Sequence, residues 1–240
     1  MQVSHEELRQ IAAITARAGR EDLYAGIHKA LRAFMADTLV AVGRTDPADA
    51  RDVGDTIDRV LALMAVCAAH VEHENTFMHP AIEARDPGTT ATVAGDHEDH
   101  LPHIAALRAQ ADNLATIPPQ ERAAALHVLY LSLAGFVADN LQHMHVEETR
   151  LNRSLWAHYS DDELRGMHDA LVASIDPPEM MQVLRWMVPN MSAPERLAVL
   201  GGMKAGAPAP VFEAVLDMLR PHLNERDWSK LTTGLGLTGA

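Results

Sequence analysis

The sequence is poor in residues that support several kinds of chemistry. Its single cysteine, Cys67, excludes an intramolecular disulfide, and the apolar stretch "LALMAVCAAH" around it predicts a buried thiol rather than a reactive one. No uninterrupted run of about 18 apolar residues occurs. The amino terminus, "MQVSHEELRQ", is charged from its fifth residue. We therefore expect neither a membrane span nor a signal peptide, and we expect the protein to be cytoplasmic.

Lysine and arginine are also scarce. The chain has 20 of them against 33 aspartates and glutamates, and its formal net charge is −13. Nucleic acid and anionic membranes are bound by basic stripes, and none is visible, so neither is an expected partner. The glycines of "LGGMKAGAP" lack the spacing of a phosphate-binding loop, and no nucleophile is paired with a base. Chemistry on nucleotides or organic substrates is therefore not predicted.

Strand-forming patterns are nearly absent as well. Apolar residues recur at intervals of three and four, which predicts an all-α protein. Breaks that carry Pro, Gly or a capping Asp or Ser divide the chain into four long helices, over roughly 20–43, 48–85, 89–115 and 119–158. Because the connections are short, we expect an antiparallel up-down four-helix bundle over residues 20–159, after a lead segment, 1–19.

The remaining residues, 160–240, are predicted to form a C-terminal extension of short helices. Ser160 with Glu163 and Ser192 with Glu195 both match the capping box, in which a hydroxyl and a carboxylate bond the free amides of a first helical turn. The apolar segments "VLRWMV" and "VFEAVLDML" suggest that the extension packs on the bundle or mediates self-association, as in a homodimer.

One histidine in the second predicted helix and one in the fourth, among 14 in the chain, begin matching pairs that continue an apolar stripe. His70 and Glu74 are four residues apart, as are His143 and Glu147, so the members of each pair share one face of a helix. Apolar residues continue the same face, which predicts that both pairs point into the bundle. The two stripes are Leu63, Cys67, His70, Glu74 and Phe77 in the second helix and Leu133, Phe136, Asn140, His143 and Glu147 in the fourth.

The other two helices are predicted to carry inward imidazoles too. Their stripes are Tyr24, His28, Leu31, Met35 and Leu39 in the first helix and Val93, His97, His100, Ile104, Leu107, Ala111 and Leu114 in the third. Two buried carboxylates without partners would cost several kcal/mol each or become protonated. A pair of divalent cations removes that penalty, because carboxylates can bridge two cations while imidazoles fill the terminal positions.

Four segments, one from each predicted helix, resemble the hemerythrin-like (HHE cation-binding) family, whose four-helix bundle holds a non-haem di-iron centre. They are "GIHKALRAFM", "HVEHENTFMHPAIEAR", "DHEDHLPHIAAL" and "HMHVEETRL". The resemblance implies two iron ions bridged by two glutamates, with a solvent-derived oxygen completing the site. Manganese and zinc are the less favoured occupants, since a site shared by four helices suits bridged octahedral ions better than a tetrahedral one. The implied ligands are His28, His70, Glu74, His97, His143 and Glu147.

Two departures from the oxygen-carrying hemerythrins guide the functional expectation. Those proteins place His-x-x-x-His on the third helix and a histidine followed by aspartate on the fourth, whereas this chain has "HEDH" and His143-x-x-x-Glu147. Fewer imidazoles leave more open coordination, so the first hypothesis is reaction with oxygen, peroxide or nitric oxide, in sensing, scavenging or iron handling. The second is a metal- or redox-responsive regulatory module without turnover that signals through the extension. The third is a bundle whose histidines only form hydrogen bonds.

Several further residues leave alternatives open. His100 is either a further metal ligand or a residue that supports the ligands from behind. Tyr24 is either a hydrogen-bond donor to a metal-bound oxygen species or a core tyrosine. Asn140 either holds the His143 ring or is a buried amide bonded to a neighbouring helix. Four histidines fall off the stripes and are predicted to ring the mouth of the site or face solvent: His73, His79, His103 and His145.

Overall fold

A computed structural model describes Leu8, Arg9, Ile11 and residues 19–237, and most of the predicted lead segment, 1–19, lies outside this range. The regular structure of the described residues is entirely helical, with no strand among them. The long helical segments are α1 (Ala25–Arg44), α2 (Ala50–His73) with α3 (His79–Arg85), α4 (Ala91–Leu114), and α5 (Pro119–Val146) with α6 (Asn152–His158). The shorter helices that follow are α7 (Asp161–Ser174), α8 (Pro177–Met187), α9 (Ala193–Gly206), α10 (Ala209–Leu219) and α11 (Glu225–Gly234).

Helix α1 begins later than the sequence pattern predicts, at Ala25 instead of about residue 20. The carboxylate of Asp22 accepts hydrogen bonds from the backbone N–H groups of Tyr24 and Ala25, both at 3.0 Å. A side chain that binds the free amides of a first turn fixes where a helix starts. Asp22 therefore holds the turn that leads into the helix that carries His28.

Two turns of π-helix, which sequence periodicity does not predict, interrupt the second and fourth helical segments. They span Glu74–Met78, between α2 and α3, and Glu147–Leu151, between α5 and α6. In each turn a backbone N–H donates to a carbonyl five residues earlier, from His79 to Glu74 and from Asn152 to Glu147. Such a turn holds one more residue than an α-helical turn, so the side chains after it are rotated around the helix axis.

The described chain divides into two compact units, each with its own apolar core. The first takes in Phe34–Ser174 with the described residues up to Ala25, and the second takes in Gly26–Ala33 with the described residues from Ile175 onward. In the first unit α4 packs against both α2 and α5. One apolar cluster of this unit contains Tyr24, Met78, Ile82, Val93, Leu151, Leu155, Trp156 and Leu164. The core of the second unit contains Leu184, Val188, Leu200, Phe212, Val215, Leu219, Leu223, Leu231 and Leu235.

Both capping boxes predicted in the C-terminal extension are confirmed. The Glu195 carboxylate accepts hydrogen bonds from the backbone N–H and the hydroxyl of Ser192, and α9 begins at the next residue. The Glu163 carboxylate does the same for Ser160, and the Ser160 hydroxyl accepts from the N–H of Glu163. These local bonds account for where α7 and α9 start.

One helical segment of the described residues, Pro119–His158, is long and apolar enough by length and composition to cross a membrane. A third of its most apolar window is buried. The core helix of a soluble protein passes the same test, so this is weak evidence for a membrane span. The segment also holds the buried polar side chains of His143 and Glu147, which are expensive to place in lipid.

One carboxylate holds the turn between α3 and α4, and its ionisation makes the stability of the folded state depend on pH. Glu83 accepts hydrogen bonds from the N–H of Gly88 and from the hydroxyl and N–H of Thr90. These bonds, that of Gly88 first, lower the pKa of Glu83 from 4.5 to about 2. Because folding favours the ionised form, its contribution is present above pH 4.5 and is lost as the pH falls through about 2.

We expect Glu83→Gln to lower the urea midpoint of unfolding at pH 7, because an amide accepts these bonds more weakly than a carboxylate. The gap to the wild-type protein should close as the pH falls from 4.5 to 2, as measured by urea titrations at several pH values. Glu98→Gln, at an exposed position of α4, is the matched control and should behave like the wild type. A gap of constant size down to pH 2 would contradict this account.

Candidate metal centre

The residues that the sequence predicts as ligands are mostly removed from solvent. Their exposed fractions are 0% for His28 and Glu147, 2% for His97, 3% for Glu74 and 4% for His143. The His70 side chain is 11% exposed. Imidazoles and carboxylates are rarely buried so completely without a specific role, because removing them from water is costly.

These six side chains form two groups that have two members in common. His28, His70, Glu74 and Glu147 form one group, and Glu74, His97, His143 and Glu147 form the other. Within each group the candidate ligand atoms all lie within 4.8 Å of one another. Each group could hold one metal ion, and the two glutamates belong to both.

The carboxylate of Glu74 lies between two imidazoles. Its Oε1 is 3.3 Å from Nε2 of His70, and its Oε2 is 3.3 Å from Nε2 of His97. Because the two oxygens of one carboxylate face histidines of different groups, Glu74 is arranged as a bridging ligand would be.

In the second π turn, Glu147 has a similar environment. Its Oε1 lies 3.2 Å from Nε2 of His143 and 3.8 Å from Nε2 of His97. The two Nε2 atoms of His97 and His143 are themselves 3.0 Å apart. The second group therefore has two ring nitrogens and two carboxylates directed at one small volume.

Burial and neighbouring charges move the pKa values of the two histidines in opposite directions. Burial first, and then the nearby His143, lower the pKa of His97 to about 3, so this ring is neutral at pH 7. Burial alone would also lower the pKa of His143, but its hydrogen bonds to Glu147 and Asp96 and the charge of Glu147 outweigh burial and raise it. A neutral imidazole has a free lone pair for a metal ion, whereas a charged one must first release a proton.

The structure decides part of what the sequence left open. His100 is buried, and its ring meets that of His143 edge-on with centroids 4.8 Å apart, but His100 belongs to neither group. Asn140 does neither of the two things considered for it, because its amide donates to the Phe136 carbonyl of its own helix at 2.9 Å. Tyr24 is 1% exposed, and burial, followed by the charges of Glu74 and Glu147, raises the pKa of its hydroxyl far above 10.

The prediction for His79 is wrong. This residue was expected at the mouth of the site or in solvent, but it is 7% exposed, and its ring stacks on that of His97 with centroids 5.0 Å and planes 9° apart. The extra residue of the π turn rotates His79 and Met78 inward and leaves Phe77 only partly buried. His73, His103 and His145 are partly buried, with the His103 ring against the edge of Phe136.

The helical fold and the buried cluster of histidines and glutamates together indicate a metal-binding helical protein. The family model of the hemerythrin HHE cation-binding domain matches residues 3–155, which is more than half of the chain. The chain therefore belongs to the hemerythrin HHE family. No curated protein and no solved structure gives a significant match.

Proposed function

We propose that this chain holds two iron ions in an antiparallel up-down four-helix bundle built from α1, α2 with α3, α4, and α5 with α6. The observation that carries the proposal is the sharing of Glu74 and Glu147 by two groups of candidate ligands. In a site for one ion the two carboxylates would belong to a single group. In a site for two ions they bridge, and the imidazoles occupy the outer positions.

The chemistry of the side chains fits such a pair. His28 and His70 would hold one ion, His97 and His143 would hold the other, and the two glutamates would contact both. Nitrogen and carboxylate oxygen donors suit iron and manganese better than soft metals, and the absence of a cysteine among the donors argues against a structural zinc site. Iron is the proposed occupant, with manganese and zinc less favoured.

A bound iron pair with an open coordination position supplies reactivity toward oxygen, peroxide or nitric oxide. The chain contributes a dry environment, because the proposed ligands other than His70 are at most 4% exposed. Burial, followed by the charges of Glu74 and Glu147, raises the pKa of the Tyr24 hydroxyl, so this group remains a hydrogen-bond donor to higher pH than an ordinary tyrosine. The proposed role is sensing or scavenging of one of these small molecules, or the handling of iron.

We also propose that the protein works in the cytoplasm, apart from nucleic acid and membranes, and that it forms a homodimer. The net charge of −13 supports the proposal that nucleic acid and anionic membranes are not partners, because like charge repels phosphate backbones and anionic lipids. Sedimentation of the full chain, with and without duplex DNA or anionic vesicles, tests the dimer and the two excluded partners, and cell fractionation tests the location.

The first test is the metal content of protein purified from iron-supplemented cells, together with an absorption spectrum. We expect iron at about two ions per chain and a near-ultraviolet charge-transfer band, as bridged iron pairs provide. His143→Ala should lose the band, and His127→Ala, at an exposed position of α5, should keep it. A wild-type chain that carries no iron, or a band that survives in His143→Ala, would overturn the di-iron proposal.

The second test is mixing of the reduced, iron-loaded protein with oxygen, hydrogen peroxide or nitric oxide. Consumption of one of them, followed by the change in the same band, would support a reactive centre. Full iron occupancy with no reaction toward any of the three would instead favour the regulatory hypothesis.

A further inference from the structure

The rings of His97 and His143 are held from outside the proposed metal centre as well as from within it. Their Nε2 atoms face the two glutamates, and the opposite nitrogen of each ring has an oxygen partner. Nδ1 of His97 lies 2.8 Å from Oδ1 of Asn75, and Nδ1 of His143 lies 3.2 Å from Oδ2 of Asp96. Neither partner belongs to the groups of candidate ligands.

The two partners connect the helices in a regular way. Asn75 directly follows Glu74 in the π turn and reaches across to His97 on α4. Asp96 directly precedes His97 on α4 and reaches across to His143 on α5. Each partner is therefore the sequence neighbour of one proposed ligand and the support of another on the next helix.

The chemistry of the partners determines which nitrogen carries the proton. A carboxylate oxygen only accepts hydrogen bonds, so the Nδ1 of His143 that faces Asp96 must be protonated. The Asn75 Oδ1 likewise accepts, so Nδ1 is the nitrogen of the His97 ring that carries the proton in this hydrogen bond. In that tautomer the Nε2 lone pair of His97 points toward Glu74 and Glu147, where it could be donated to a metal ion.

We propose that Asn75 and Asp96 are positioning residues that keep His97 and His143 protonated at Nδ1 and direct their Nε2 atoms at the metal. This inference rests on the proposed metal centre. Stacking on His79 fixes the plane of the His97 ring, and the bond to Asn75 fixes its rotation within that plane. The partner of a metal-bound imidazole also makes the ring a stronger donor, and its loss commonly lowers metal affinity by about 10–100-fold.

A solvent-exposed ion pair is the simpler explanation for Asp96, whose side chain is 41% exposed. Such pairs contribute little to stability, so on that explanation removing Asp96 would change little. If Asp96 positions His143, removing Asp96 should instead change the protonation and orientation of the His143 ring. This ring is only 4% exposed, and its other nitrogen, Nε2, faces Glu147. The two explanations therefore differ in what happens to the buried ring, which can be measured without metal.

The first readout is nitrogen-15 NMR of the imidazoles in the metal-free full chain. We expect the Nδ1–H tautomer of His97 in the wild type, a mixture of tautomers in Asn75→Ala, and restoration of the Nδ1–H form in Asn75→Asp, which keeps an acceptor oxygen. Thr76→Ala is the matched control, since Thr76 is an exposed neighbour in the same π turn. Asp96→Ala should likewise remove the hydrogen-bonded Nδ1 proton of His143, and Asp99→Ala, an exposed position on the same helix, should not.

The second readout is the affinity for Fe(II), measured anaerobically against a competing chelator. Asn75→Ala and Asp96→Ala should each bind Fe(II) about 10–100-fold more weakly than wild type, and the two controls should bind within about 2-fold of it. Wild-type affinity in both alanine variants, or an unchanged His97 tautomer in Asn75→Ala, would overturn the proposal. If the wild type itself binds no Fe(II), the proposed function fails, whereas the tautomers still report on Asn75 and Asp96.

Discussion

Replacing Glu74 and Glu147 together by glutamine is expected to abolish metal binding while the metal-free protein stays folded. Glutamine has nearly the shape of glutamate, so the packing of both helices should survive. Its amide lacks the charge that offsets a divalent cation, and it is a poor bridge between two ions. Both carboxylates are at most 3% exposed, so their loss also removes the cost of keeping charged groups out of water.

The measurement is thermal unfolding of wild type and double variant, each with and without Fe(II) under anaerobic conditions. A ligand at a thousand times its dissociation constant stabilises the folded state by about 4 kcal/mol, which the wild type should show and the double variant should lack. Without metal, the double variant should be at least as stable as wild type. The control is Glu72→Gln with Glu98→Gln, which removes the same charge from exposed positions and should retain the full Fe(II) effect.

Metal-dependent stabilisation that persists in the double variant would show that Glu74 and Glu147 are not ligands. Loss of folding in the metal-free variant would show instead that these carboxylates are structural. The four measurements therefore separate a metal centre from a buried hydrogen-bonded network, which is the third hypothesis drawn from the sequence.

The second large effect, a loss of stability, is expected on replacing Arg196 in the second of the two compact units. This side chain is 4% exposed, and its guanidinium donates to three backbone carbonyls, those of Val188, Pro189 and Met191. The bonds tie α9 to the end of α8 and to the turn that follows it. A methionine of similar length would fill much of the same space but leave these bonds unmade.

We expect Arg196→Met to destabilise this unit by about 3 kcal/mol, because bonds from a charged donor are worth about 1.5–3 kcal/mol each and do not add fully. Chemical denaturation followed by tryptophan fluorescence would measure the loss, since Trp186 and Trp228 both lie in this unit. Arg226→Met removes the same charge from an exposed site of α11 and should cost less than about 0.5 kcal/mol. Equal midpoints for the two variants would refute the structural role of Arg196.

Sequence periodicity predicts the fold well where a helix is regular. All seven residues of the stripe predicted for the third helix, from Val93 to Leu114, are the buried residues of α4. In an uninterrupted α-helix each residue turns the chain by a constant angle, so spacing alone identifies the inward face. The first helix agrees less closely, since Thr38 is fully buried and Leu39 only partly so.

Periodicity fails beyond the first of the two π turns, and the cause of this turn can be found in the sequence. Pro80 has no N–H to donate to the carbonyl of Thr76, and its ring crowds that carbonyl, so the helix widens just before it. The prediction for Phe77 and His79 assumed a constant turn and therefore placed the wrong residue inside. Nothing in the sequence of the second turn, Glu147–Leu151, explains it.

The candidate site could be predicted from the sequence because its two carboxylates are the first residues of the π turns. His70 with Glu74 and His143 with Glu147 keep the α-helical spacing of four, and the widening begins only at the glutamates. Asn75 and His79 could not be found in this way. Their contacts with His97 depend on the shape of the turn and on the packing of α4 against α2, which no spacing within one helix reports.

The π turn after α2 has a consequence for how such a site can vary by mutation. Because the turn holds one residue more than an α-helical turn, deleting Thr76 would restore a regular α-helix and leave the later residues of that helix facing as they do now. His79 would then come four residues after Glu74, on the same helix face, and His70 and Glu74, which come earlier in the chain, would keep their places. The same deletion in a regular helix would rotate every later residue by about 100°, so the irregular turn is a place where this helix can lose a residue without changing what lines the centre.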